Sequence, residues 1–203
     1  MIGIVDYGLG NIKSFLNIYN KLNIRAQLVS TQEELLASDK VILPGVGSFD
    51  YAMSVLDNSG LRDALNDIVL IKKVPVLGVC VGMQMMGDTS EEGVAKGLGW
   101  ISGAIKKMSF VEYENLPLPH MGWNALNTVS EAPLFDNIPN HSEFYFLHSY
   151  YFDALYKDNI LATADYPKTF PVIVNRENIF GIQCHPEKSH QQGVTFLKNF
   201  AEL

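Results

Sequence analysis

Within the first eighty residues, four short apolar runs alternate with helix-patterned segments, which leaves the chain few folds to adopt. The runs are 2–6, 25–29, 40–43 and 74–79. Between them, one helix-patterned segment follows Gly8-Leu9-Gly10-Asn11 and runs to about Leu22. A short one starts at Thr31-Gln32-Glu33-Glu34, which has capping-box spacing, and two more, 50–58 and 61–73, flank a Ser59-Gly60 break. Strands joined through helices pair in parallel, and a parallel sheet is covered on both faces. Ligands of such sheets bind beyond the carboxyl ends of the strands. Gly8, Gly45 and Cys80 all fall at such ends, so they share one rim.

After about residue 88 the pattern changes. Asp88-Thr89-Ser90-Glu91-Glu92-Gly93 reads as a polar loop, and short strands with turns follow at 100–108, 123–129, 143–151 and 160–164. Segments 171–174 and 179–184 read as a hairpin about Arg176-Glu177-Asn178, and an amphipathic helix over 189–203 closes the chain. The expected fold class is α/β, with a mostly parallel central sheet flanked by helices and additional antiparallel strands in the second half. With 203 residues, 47% apolar and 18% charged, the chain suits one domain, 1–203, with a full core. A net charge of −7 without a Lys/Arg cluster excludes nucleic acid as the expected partner. The apolar runs are too short to cross a bilayer, and Met1-Ile2-Gly3-Ile4-Val5-Asp6 reads as a strand rather than a signal peptide. Two cysteines make no disulfide framework and fit a reducing cytoplasm.

Chemistry concentrates where the fourth strand ends. Gly78-Val79-Cys80-Val81-Gly82 is the thiol form of a nucleophile elbow, with helix-compatible Met83-Gln84-Met85-Met86 behind it. A nucleophile at the tip of such a turn occupies a strained backbone conformation that only small neighbours permit. The N–H groups beyond it favour thiolate and can stabilise an oxyanion. The same pentapeptide also suits an ordinary buried cysteine. Pro44-Gly45-Val46-Gly47 after the third strand can turn N–H groups inward, or can be a plain connection. Thiol catalysis needs an imidazole held by a third group, and His185-Pro186-Glu187 offers both two residues apart. His120 and His148 lack a nearby carboxylate, and His141 and His190 read as solvent or cap residues. No metal-ligand spacing exists, Cys184-His185 being adjacent, so no metal is expected. Lys13 stands where a dinucleotide site needs its third glycine, so no cofactor is expected either.

Taken in order, the Pro-Gly-Val-Gly loop, the Gly78–Gln84 stretch, Pro119-His120-Met121-Gly122-Trp123-Asn124, His148-Ser149-Tyr150-Tyr151 and Gln183-Cys184-His185-Pro186-Glu187-Lys188-Ser189 resemble the class I (triad) glutamine amidotransferases. Within that family the loop and the Pro-His-Met-Gly-Trp-Asn stretch are similar to glutaminase subunits of imidazole glycerol phosphate synthases. The resemblance implies that Cys80 attacks the carboxamide of L-glutamine, that His185 shuttles the proton and that Glu187 orients His185. It implies an oxyanion hole from Val81 N–H and the Val46–Gly47 peptide, the latter after rearrangement. It also implies substrate contacts from Gln84, Glu92, Ser149 and Tyr150, and partner-facing roles for Trp123, Tyr145 and Lys188. The implied partner is a (β/α)8-barrel synthase subunit, in a heterodimer, that receives the ammonia for histidine biosynthesis. Cys184 stands where an aromatic residue is usual, and Leu116-Pro117-Leu118-Pro119 lacks a usual basic residue. Met85-Met86-Gly87 and Gly97-Leu98-Gly99-Trp100 are closer to paralogues that supply ammonia for sugar amidation in surface-polysaccharide pathways. That alternative stays open, as does a stand-alone cysteine hydrolase on the same elbow.

Overall fold

The structure, a computed structural model, describes residues 1–109 and 117–203, so Leu116 lies outside the described residues. The expected alternation is present. β1 (Ile2–Val5) leads into α1 (Ile12–Lys21), β2 (Ala26–Val29) into α2 (Gln32–Leu36), and β3 (Lys40–Gly45) into α3 (Phe49–Ser59) and α4 (Arg62–Asn66). α2 begins as its sequence dictates. The Thr31 hydroxyl accepts the Glu34 N–H, and the Glu34 carboxylate accepts the Thr31 N–H. α3 stops at Gly60, whose φ of 73° is a left-handed conformation that costs glycine little. The helix expected over 61–73 is instead α4 followed by a π-helical turn, Asp67–Ile71, which buries Ile68 and Val69 and leaves Ile71 exposed.

β4 (Val76–Cys80) enters α5 (Val81–Gln84), a single turn rather than a helix continuing through Met86. Competing hydrogen bonds end it. The Met85 carbonyl accepts from Leu98 N–H, and that of Met86 accepts from Trp100 and Ile101, so the chain folds back here. The second half supplies β5 (Thr89–Ser90), β6 (Gly103–Lys107), β7 (His120–Ala125), β8 (Asn127–Thr128), β9 (Glu143–His148), β10 (Tyr150–Ala154), β11 (Ile160–Asp165), β12 (Thr169–Arg176), β13 (Ile179–Ile182) and α6 (His190–Glu202). β5 lies inside the stretch expected to be a polar loop; Glu91 and Asp88 N–H bonds to the Ile105 and Gly103 carbonyls hold it on β6. The single strand expected over 143–151 is two, because β9 and β10 part at Ser149 and join different sheets.

The main sheet has eight strands in the order β2-β1-β3-β4-β13-β12-β11-β8. From β2 to β13 neighbours run parallel, and β12, β11 and β8 continue antiparallel. A sheet covered on both faces should read apolar throughout, and every residue of β1 and β4 is buried. Phe15 and Tyr19 of α1 and Phe196 and Phe200 of α6 pack into this core, each such side chain contributing about 1.5–3 kcal/mol on burial. The Tyr19 hydroxyl donates to the Leu197 carbonyl at 3.0 Å, so the first and last helices meet. Two small sheets, β10-β6-β5 and β7-β9, stand beside the main one. The pairing that matters for chemistry is β4 with β13. Val79 is in register with Ile182, which sets Gln183 beside Cys80 and His185 just beyond the strand end.

Candidate active site

Cys80 sits at φ 56°, ψ −116°, a conformation that costs a side-chain-bearing residue on the order of 1–3 kcal/mol. Close packing holds it there. A Cβ on Gly78 would come within 2.6 Å of Met86 Cε and 2.7 Å of the Gly82 carbonyl oxygen, and one on Gly82 would overlap the Leu43 carbonyl oxygen. Both glycines of the pentapeptide are therefore steric requirements, and the end of β3 lies directly against the elbow. The Tyr7 hydroxyl donates to the Pro44 carbonyl at 2.7 Å, pinning the backbone just before Gly45-Val46-Gly47. Tyr7 is buried, and burial followed by the nearby Cys80 charge raises its pKa.

His185 follows β13, hydrogen-bonds Glu187 and lies close to Cys80. Its Nδ1 lies 2.9 Å from Glu187 Oε1, and Cys80 is near enough to raise its pKa. Pro186 opens the 3-10 turn, Pro186–Lys188, that brings Glu187 back under the imidazole. Ser189, to which the sequence reading gave no role, anchors this turn. Its hydroxyl donates to the His185 carbonyl at 2.6 Å and accepts the Tyr145 N–H at 3.0 Å. Burial on its own would lower the His185 pKa, but the Cys80 thiol and the Glu187 carboxylate outweigh it and raise the value to about 10. The arrangement favours the imidazolium form of His185. The Glu187 side chain is 1% exposed, and its Oε2 has no hydrogen-bond partner among the described residues.

A cavity of about 320 Å³ opens over Cys80, which suits a small amino acid. Its walls carry Val46, Gly47, Val81, Gln84, Glu92, Ser149, Tyr150, His185 and Lys188. It thus gathers every residue expected to touch substrate or oxyanion, while Glu187 stands behind His185. Gly47 has φ +88°, a left-handed conformation in the loop beside the thiol. Glu92 Oε2 accepts the Phe49 N–H at 2.8 Å, tying the cavity wall to the start of α3. Trp123 and Tyr145 do not line the cavity. They form an edge-on pair at 6.0 Å on β7 and β9, with Trp123 44% exposed. Lys188 does line it, its Nζ 5.6 Å from the Tyr145 ring, and so joins this aromatic pair to the cavity.

The cavity wall also includes His148, which the sequence reading set aside as a base. Hydrogen bonding explains why it cannot serve. Asn124 Oδ1 accepts the Ala125 N–H, so its amide nitrogen faces His120 Nε2 at 3.3 Å. His120 Nδ1–H then donates to His148 Nε2 at 2.9 Å, and His148 Nδ1–H to the Tyr150 carbonyl at 2.8 Å. Every ring nitrogen is used once with both rings neutral, and an added proton has no acceptor. Burial agrees, lowering His120 to about 4 and His148 to about 3. Only His185 keeps a nitrogen for the thiol.

Fold and site together bring Cys80, His185 and Glu187 to the carboxyl edge of a mostly parallel α/β sheet. The chain belongs to the class-I glutamine amidotransferases, whose family model matches residues 3–203. It is 51% identical over 204 residues to the imidazole glycerol phosphate synthase subunit HisH of Leptospira interrogans, with 100% of both chains covered. Against subunit HisH 2 of Pseudomonas aeruginosa the identity is 45% over 203 residues, again over both whole chains. Among solved structures, a glutamine amidotransferase shares the fold at a TM-score of 0.77 and 16% identity, covering 100% of this chain and 99% of the other. A putative GMP synthase subunit from Thermoplasma acidophilum does so at 0.74 and 20%, covering 99% and 92%.

Proposed function

We propose that this chain is the glutaminase subunit of an imidazole glycerol phosphate synthase, working in the cytoplasm as one glutamine amidotransferase domain over 1–203. The observation that carries the reading is the meeting, in one cavity, of a strained Cys80, a His185 backed by buried Glu187, and the polar groups of Gln84, Glu92, Ser149 and Tyr150. L-glutamine enters with its carboxamide over the elbow. The Cys80 thiolate attacks the carboxamide carbon, and the oxyanion meets Val81 N–H and the Val46–Gly47 peptide, each such donor lowering the barrier by about 3 kcal/mol. The His185 imidazolium gives its proton to the departing nitrogen, releasing ammonia and leaving a thioester. Water then attacks the thioester carbon as His185 takes its proton, and glutamate departs with the thiol restored.

The ammonia passes to a (β/α)8-barrel cyclase subunit docked over Trp123, Tyr145 and Lys188, which uses it on a phosphorylated ribosyl substrate. Support for that acceptor comes from relatives named as HisH subunits that match the whole chain. The test is reconstitution with the cyclase subunit from the same organism, following glutamate release. Glutaminase turnover should rise steeply when partner and ribosyl substrate are both present, and Cys80→Ala should abolish it. Turnover equal with and without the barrel would point to a stand-alone hydrolase. Stimulation only by a sugar-amidating barrel and its substrate would move the chain to the other pathway.

A further inference from the structure

Cys80 has a third polar neighbour besides His185 and the oxyanion peptides. Gln183 is fully buried, and its Nε2 lies 3.8 Å from Cys80 Sγ, within the longer reach of hydrogen bonds to sulfur. Its orientation is fixed by a chain of donors with one possible direction. The Tyr150 carbonyl can only accept, so the group 3.2 Å from it is the Gln84 amide nitrogen. That same nitrogen lies 2.9 Å from the Gln183 side-chain oxygen, which must therefore be the acceptor. The Gln183 NH2 is left facing the sulfur. The sheet register places it there, because Val79 pairs with Ile182 and the next residues along each strand are Cys80 and Gln183.

We propose that Gln183 is a positioning residue of the nucleophile: its buried amide donates to the Cys80 sulfur, favours the thiolate over the thiol and holds it toward His185. The proton released from Cys80 goes to His185, so no other acceptor is needed. A donor to the charged form stabilises that form, and does so more strongly where water is excluded. Gln84, on the cavity wall, braces Gln183 from the substrate side, so the glutamine pocket and the nucleophile share one hydrogen-bonded line. Other titratable or charged groups near the sulfur are His185, Tyr7 and Cys184, with Glu92, His148 and Lys188 around the cavity. The inference rests on Cys80 being the nucleophile of the proposed reaction.

The test is the pH dependence of iodoacetamide alkylation at Cys80 in the intact chain, resolved from Cys184 by peptide mass spectrometry. Gln183→Met keeps the length of the side chain and removes the donor. Its pH–rate midpoint should rise by about one unit, roughly a tenfold smaller thiolate fraction below the midpoint. The high-pH plateau should rise about threefold, because a more basic thiolate is the better nucleophile. A merely structural role would not couple those two changes. Circular dichroism checks that the variant is folded. If it is not, the side-chain amide resonances of Gln183 in the unaltered chain should shift through the same pH transition as Cys80 alkylation. An unchanged midpoint in folded Gln183→Met, or Gln183 resonances blind to that transition, overturns the assignment. Neither readout requires glutamine hydrolysis, so failure of the proposed function would appear separately as absent glutaminase activity in the unaltered complex.

Discussion

Replacing Glu187 with glutamine changes one oxygen for an amide group and removes one buried charge, so its consequences follow closely from the geometry. The side-chain carbonyl of the Glu187→Gln variant can still accept the His185 Nδ1–H across the 2.9 Å gap, which keeps the ring tautomer, but the negative charge behind the imidazolium is gone. A hydrogen bond to a charged group contributes about 1.5–3 kcal/mol against about 0.5–1.5 for a neutral one, so the loss of about 1–1.5 kcal/mol corresponds to roughly a 5- to 13-fold fall in kcat if it is realised in the transition state. KM should hardly move, because Glu187 does not line the cavity. Stability should fall as well. The new amide NH2 takes the place of Oε2, which is already buried without a partner among the described residues, so the fall comes from losing the negative charge opposite the imidazolium. The assay is steady-state glutamate release by the chain in complex with its cyclase, with thermal unfolding of the free chain alongside. A folded Glu187→Gln enzyme with unchanged kcat, or one impaired only in KM, would refute the reasoning.

Other expectations follow from the same structure. Cys80→Gly should melt higher than Cys80→Ala, because alanine keeps the strain at φ 56° that glycine relieves; a relief of about 1 kcal/mol is about 2–4 °C in a chain of this size, and equal melting temperatures would deny that strain. Denaturant stability should peak near pH 6.5 and fall on both sides. On the alkaline side, the His185 value is raised above 6.5, so its contribution is complete below 6.5 and is lost as pH rises through about 10. On the acid side, His120 and His148 are lowered below 6.5, so their contribution is present above 6.5 and is lost as pH falls through about 4 and about 3. In urea titrations across pH, His185→Gln should flatten the alkaline limb alone; an unaltered alkaline limb in that variant would be inconsistent with the assignment.

The first half of the fold is legible because its signals are local. Each strand is a short apolar run, Thr31 and Glu34 announce α2, and Gly60 ends α3. The elbow is legible for a related reason: Gly78 and Gly82 meet backbone and side-chain atoms that leave no space for a Cβ. What the sequence hides is long-range. α5 stops after one turn because Leu98 and Trp100 N–H groups take the Met85 and Met86 carbonyls, and nothing near Met86 signals that competition. The break at Ser149 depends on β9 pairing with β7 while β10 pairs with β6. Tyr7 and Gln183 act on the site through partners 37 and 103 residues away, so spacing alone could not single them out. His148 is instructive in the other direction. It reaches the cavity, and only its bonds to His120 and the Tyr150 carbonyl remove it from acid–base work.

The proposed chemistry requires that the Cys80 sulfur be the atom that takes the glutamyl group. A glutamine analogue carrying an electrophile in place of the side-chain carboxamide, incubated with the chain and its cyclase and followed by intact-mass and peptide mass spectrometry, reads that event directly. The predicted result is a single adduct on Cys80, none on Cys184, and none at all in Cys80→Ala or when excess glutamine competes. An adduct that forms elsewhere, or glutamine hydrolysis that survives in Cys80→Ala, would contradict it.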